Sequence, residues 1–322
     1  MTSFRKAFCR HLTLGILLAT LCNGQLVQFR GPDGGLVYDP PTQSLRGIAG
    51  LIGAARLGDA ILENVEWASI APNGKTALYR KGGQMLALTS AGLMEEVRQA
   101  PVEDPEEVLW GKGSQSAVLV WTKAKRTQKI EIDAVGAISS QEPHGLDLDG
   151  EITAVAGTVE TRMYVAVSGR GVYLVDAQTG GNKMLLPLAS CRVLASNAEG
   201  TGIWAIDGDR GVLLRIAVDD GQSAVFTTDP ERLKGVTRLG VLSNEKELLL
   251  ANPETRTLYL YTADNRTLAE VSALEAPVTH LSPLGRETLL LLSYRATNAQ
   301  SIQLYDALRG DIFFVPYLGA EQ

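Results

Sequence analysis

A chain of 322 residues with 45% apolar and 20% charged side chains is long enough to bury a substantial core and too apolar to be a disordered segment. Its formal net charge of −6 at pH 7 argues against a general nucleic-acid binder. Its 33 glycines point to a fold built on many turns.

The first 24 residues, MTSFRKAFCRHLTLGILLATLCNG, read as a secretory signal peptide. Arg5, Lys6 and Arg10 precede an apolar run from Leu12 to Leu21, and Cys22 and Gly24 supply the small residues of a cleavage site after Gly24. The run falls well short of the ~20 residues that a membrane span needs. The competing reading keeps the segment as an anchor, retained or acylated at Cys22, but bulky Leu21 stands where a lipoprotein signal wants a small residue. Cleavage takes away three positive charges and no acids, leaving about −9. Cys9 and Cys22 leave with it, so Cys191 is alone and residues 25–322 are expected to form a single domain held by packing rather than by an internal disulfide. The mature protein is expected in the periplasm or outside the cell, without a membrane span. The sequon Asn265-Arg266-Thr267 has meaning only in a eukaryotic secretory host and is taken as a chance match.

Beyond Gln25, helical periodicity is nearly absent. Short runs of Val, Ile, Leu, Tyr and Ala alternate with Gly, Asn, Asp and Pro, which predicts strands. Clear runs are Ala77–Tyr79, Met85–Leu88, Ala117–Trp121, Lys129–Ile132, Met163–Val167, Val172–Val175, Gly202–Ile206, Val212–Val218, Glu247–Ala251, Leu258–Tyr261, Thr288–Ser293 and Ile302–Tyr305. They come in pairs, and the second strand of each later hairpin ends on a recurring residue: Asp39, Ser90, Asp133, Asp176, Asp219, Asp264 and Asp306. A short polar side chain there can cap the following turn through its own backbone. A period of ~40–45 residues with four short strands per unit is what a propeller blade requires.

The first unit has room only for Leu26–Phe29, Gly35–Asp39 and Leu45–Ile48. The fold class predicted is therefore all-β, a seven-bladed β-propeller of four-stranded antiparallel blades, with a short first blade completed or braced by the C-terminal IFFVPYLG. The alternative is six blades with the N-terminal unit as a closing strand. Pieces such as GVYLVDAQTG and APNGKTALYR resemble the repeats of secreted bacterial WD40-like and YVTN-type propellers, over nearly the whole chain from Gln25 to Leu318. The terminal Trp-Asp of true WD40 blades is absent. The resemblance implies a fold and export; members of that group include binding modules and enzymes.

Motifs with a chemical reading are few. Gly74-Lys75-Thr76 ends like a phosphate-binding loop, but Ser69 stands where the leading glycine belongs, Pro72 removes a donor, and a strand follows. A Pro-Asn-Gly hairpin turn is the better reading. GIAGLIGAARLG, from Gly47 to Gly58, offers no G-x-G-x-x-G at any offset and reads as a long connection between the first two blades. His144, His280 and a lone cysteine give no zinc set, and Asp147, Asp149 and Glu151 lack the calcium-loop spacing. No catalytic residue, metal site or cofactor is assigned.

One pattern recurs: the connection between the two hairpins of each blade carries a basic residue. These are Arg30, Lys81, the cluster Lys123, Lys125, Arg126 and Lys129, then Arg170, Arg210, Arg256 and Arg295, with Arg56 of the glycine stretch expected on the same face. The functional expectation is an exported binding or interaction module recognising an anionic ligand or a protein partner on that face. Pairing of each base with a neighbouring acid, as Arg210 with Asp207 or Asp209 and Arg256 with Glu254, is the competing structural account. An enzyme with its site at the channel mouth, of hydrolase or lyase type, and a structural component of an envelope assembly are the other functional classes. His280 is the one histidine expected on an inner strand.

Overall fold

The computed structural model describes residues 34–317 apart from 52, 90–91, 94–102, 158–160, 198–199, 219–221, 243–245, 275, 286–288 and 298, all within one unit, Asp33–Gln322. The signal-peptide expectation, Leu26–Phe29 and Arg30 lie outside the described residues. Strands associate into seven antiparallel sheets with strands in sequence order, the third also pairing the short His144–Gly145 with Arg126–Ile132, so the fold is a seven-bladed β-propeller. No described helix is long and apolar enough to cross a membrane.

Hydrophobic side chains alternating along each strand pack into seven clusters, one at every blade-to-blade junction. The junction of the seventh and first blades is built like the rest: Val37, Ile48 and Leu57 meet Leu289, Leu291, Ile302 and Val315. Full burial of one such side chain stabilises by about 1.5–3 kcal/mol. Closure of the ring thus rests on the same apolar contact that joins every other pair.

Within a four-stranded antiparallel blade, the first and third turns share one end, called here the turn face. The second-to-third connection and the crossover to the next blade share the other, the crossover face. Three expected caps close third turns: Asp133 accepts from the amides of Val135 and Ala137, Asp176 from Gln178 and Thr179, and Asp306 from Leu308. Asp264 differs, since its carboxylate takes Lys246 Nζ at 3.0 Å. Ser90 and Asp219 lie outside the described residues.

The first blade corrects the sequence reading. Its described strands are Leu36–Asp39, Ser44–Ala49 and Arg56–Glu63. Leu36 N–H donates to Gly74 O, at the far end of the next blade's first strand, while Tyr38 Oη donates to Val65 O at that strand's near end. The strand from Leu36 therefore runs in the sense of a second strand, and the other two follow as third and fourth. Leu62, Val65 and Ala68 accordingly repeat the packing of Leu185, Leu188 and Cys191 three blades on. Asp39 ends a second strand, and the third strand ends at Ala49, 40 residues before Thr89 ends its counterpart. The glycine stretch is this blade's own third turn leading into its outer strand, and the true crossover is the short Asn64–Glu66.

The C-terminal expectation divides. Asp311–Val315 is the outer strand of the seventh blade and so does not complete the first. It does brace it: Leu57 N–H donates to Pro316 O, and Tyr317 lies beneath both Arg46 and Arg295 with guanidinium carbons 4.7 and 4.2 Å from its ring centroid.

Candidate functional site

The stretch from Ser69 to Arg80 is the first hairpin of the second blade. Asn73 Oδ1 accepts from the amides of Lys75 and Thr76, which fixes the turn and leaves no cradle for a phosphate. Its tip reaches three other blades: Gly74 O accepts from Leu36, Pro72 O from Gly285, and Asn73 N–H donates to Ser114 Oγ. Gly74 has φ +65°, and a Cβ there would lie 2.5 Å from Gly285 Cα and 3.2 Å from Gly35 Cα. The turns of the seventh, first and second blades thus touch backbone to backbone. On this side the turn face is drawn in tightly around the axis.

The crossover face carries the basic connections. Lys81 is exposed at the end of its strand, before Gly82-Gly83. Lys125 Nζ donates to Leu148 O, and Arg126 pairs with Glu103 at 2.6 Å while lying over Trp121. Arg170 pairs with Asp149, and Arg210 with Asp207 at 3.8 Å. Arg256 occupies the left-handed region, φ +57°, in the sixth blade's connection. The structure brings Lys81, Lys125, Arg126, Arg170, Arg210, Arg256 and Arg295 to one face, several of them beside acids that cancel their charge. It does not bring Arg56 there, because Arg56 opens an outer strand opposite Ala49, at the turn-face end.

Arg295 is wholly buried, bridging the seventh blade to the first. Its Nε and Nη2 donate to the two oxygens of Asp39, itself 0% exposed. Arg46 Nε adds a contact to Asp39 at 3.1 Å and Thr42 donates to the same carboxylate. Burial alone raises the carboxyl pKa, but the hydrogen bonds from Arg295 and Thr42 and the charges of Arg295 and Arg46 outweigh it and hold Asp39 below its usual range. This is a closure clasp between blades.

Sequence reasoning missed the charged groups at the starts of the innermost strands. Glu107 opens the third blade's inner strand and Arg238 the sixth's, three blades apart and therefore opposed across the axis at the crossover-face end. Both side chains are exposed to solvent. Neither carries the short polar context or repeat position that would mark it in a sequence. Glu107 is hemmed in by protein although solvent reaches it, and this enclosure raises its pKa against the opposing pull of Arg238. Arg238 Nε donates to Thr279 O at 2.9 Å and Nη1 to Thr237 O at 3.0 Å, so its head is clamped between two blades. His280, the inner-strand histidine anticipated from sequence, stands beside it. Its Nδ1 lies 2.8 Å from Thr279 Oγ1, and its ring meets Tyr294 edge-on at 4.5 Å.

Burial and the nearby charge of Arg238 push His280 from 6.5 down to about 4, so the ring is neutral at pH 7. The unfolded chain takes up that proton more readily than the folded one. Stability from this group is therefore complete above 6.5 and is lost as pH falls toward 4. His280→Gln should flatten the pH dependence of stability across that window, read by urea unfolding at successive pH values. A slope unchanged from wild type would show that His280 does not titrate there. Cys191 is buried, which pushes its thiol up to about 12 and keeps it protonated. Among the described residues no three His, Cys, Asp or Glu side chains converge as metal ligands.

No protein-family model matches the chain, and no curated protein matches it in sequence. Solved structures do match. A putative 6-phosphogluconolactonase from Bacteroides uniformis is 14% identical, with TM-score 0.59 over 88% of this chain and 96% of that one. A second putative 6-phosphogluconolactonase, from Bacteroides fragilis, is 15% identical, with TM-score 0.57 over 88% and 92%. The propeller domain of Cps50 (Swd1) from Myceliophteria thermophila is 11% identical, with TM-score 0.55 over 79% and 86%. At such identities the likeness is one of fold, and it agrees with the repeat-level likeness to WD40-like and YVTN-type propellers.

Proposed function

We propose that the protein is an exported propeller that serves as a binding module, taking an anionic ligand or a protein partner on its crossover face. The observation that carries this reading is the asymmetry of the two ends. The turn face is drawn together by the contact of Gly35, Gly74 and Gly285, whereas the crossover face presents the inner-strand charges and the basic connections of the second to sixth blades, Arg295 of the seventh being buried. Local positive potential on an acidic protein attracts anions even where the net charge repels them.

An acidic chain retained by a cation exchanger at neutral pH and low salt must bind through such a local surface. Retention is expected for the wild type and should be lost in Lys81→Glu/Arg170→Glu/Arg210→Glu, while Arg56→Glu at the opposite end leaves it unchanged. Flow-through of the wild type, or equal effects of the two variants, would overturn the assignment of the face. For export, the protein recovered outside the cytoplasm should begin at Gln25 when its intact mass is measured; a full-length mass would remove that part of the reading.

A further inference from the structure

The basic connections and the channel mouth differ in one respect. On the loops, Arg126, Arg170 and Arg210 each face a carboxylate of this chain. At the mouth, Glu107 and Arg238 form no ion pair, with each other or with any other described residue, though they share one channel end. Arg238 is held by two backbone carbonyls, which orient its guanidinium without neutralising it. Both side chains are exposed and remain open to a ligand, and they lie near enough for the charge of Arg238 to act on Glu107.

We propose that the channel mouth binds a small zwitterion of the α-amino acid type, its carboxylate on Arg238 and its ammonium group on Glu107. Arg238 offers a fixed cation to a carboxylate and Glu107 a carboxylate to an ammonium group, so a ligand that carries both charges engages both sides of the mouth where a simple anion or cation engages one. The His280 ring meets Tyr294 edge-on at 4.5 Å, which fixes its place beside Arg238 as the apolar neighbour of a ligand side chain. The guanidinium is preorganised by Thr279 and Thr237, so little ordering is needed on binding.

The test is calorimetric titration of the full mature chain with each of the common L-α-amino acids, followed by the N-acetyl and amide derivatives of the tightest. At least one amino acid should bind, and each derivative, lacking one charge, should bind at least about tenfold more weakly. Glu107→Gln and Arg238→Ala should each weaken the parent by about tenfold or more, while Arg56→Ala, at the turn-face end, leaves it unchanged. Both mouth residues are exposed, and thermal melts matching wild type verify that the variants fold. No binding by any amino acid would overturn the proposal, as would an N-acetyl derivative that binds as well as its parent. Either result leaves the cation-exchange behaviour of the loops untouched, so the two readings fail separately.

Discussion

Asp39→Ala is expected to cost about 3–5 kcal/mol of stability, because it leaves the buried guanidinium groups of Arg295 and Arg46 without their shared counter-charge. Denaturation by urea reads the loss directly. The partner substitution, Arg295→Met, should cost less, since Asp39 then keeps Arg46 and Thr42 and a methionine fills part of the space over Tyr317. An equal or larger loss in Arg295→Met would contradict the view that Asp39 is the hub of the clasp. The same geometry sets an acid limit. The folded carboxyl is held below its unfolded value of 3.8, so its contribution is present above that value and is lost as pH falls through the lower folded one. Asp39→Asn should remove that last acid-dependent loss while being less stable at neutral pH.

The second large effect is expected at the turn that imitates a phosphate-binding loop. Gly74→Ala adds a methyl 2.5 Å from Gly285 Cα in a left-handed residue, and should cost about 2–4 kcal/mol by strain and displaced backbone. Gly82→Ala provides the internal comparison: φ is +59°, with nothing within 4 Å of the added carbon, so only the conformational cost of about 1 kcal/mol remains. If the two substitutions cost the same, the turns of the first, second and seventh blades do not press together as described.

The gap between sequence and structure falls along a physical line. A turn cap needs an Asp and the amides two to four residues on, so Asp133, Asp176 and Asp306 were legible one repeat at a time, as was the Pro-Asn-Gly hairpin. Alternation of apolar residues likewise marked strands for nearly every blade, because the pleat imposes its period locally. The first blade misled for the same reason. Asp39 sits in a string, LVYD, that matches third-strand ends elsewhere, yet its partner is Arg295, 256 residues away, and that pairing decides its place. The basic residues from Lys81 to Arg295 could be assigned to one face by following the strands in order, but Arg56 was misplaced with the first blade's phase, and the neighbours Glu103 and Asp149 could not be foreseen.

The sequence by itself determined the class of fold, the number of blades and most of the turns, since each depends on residues close along the chain. Only the tertiary structure decided the phase of the first blade, the clasp that closes the ring, and the placing of Glu107 across the axis from Arg238. Those depend on how many blades separate two residues and how far each sheet twists, and such distances through space have no counterpart in local spacing.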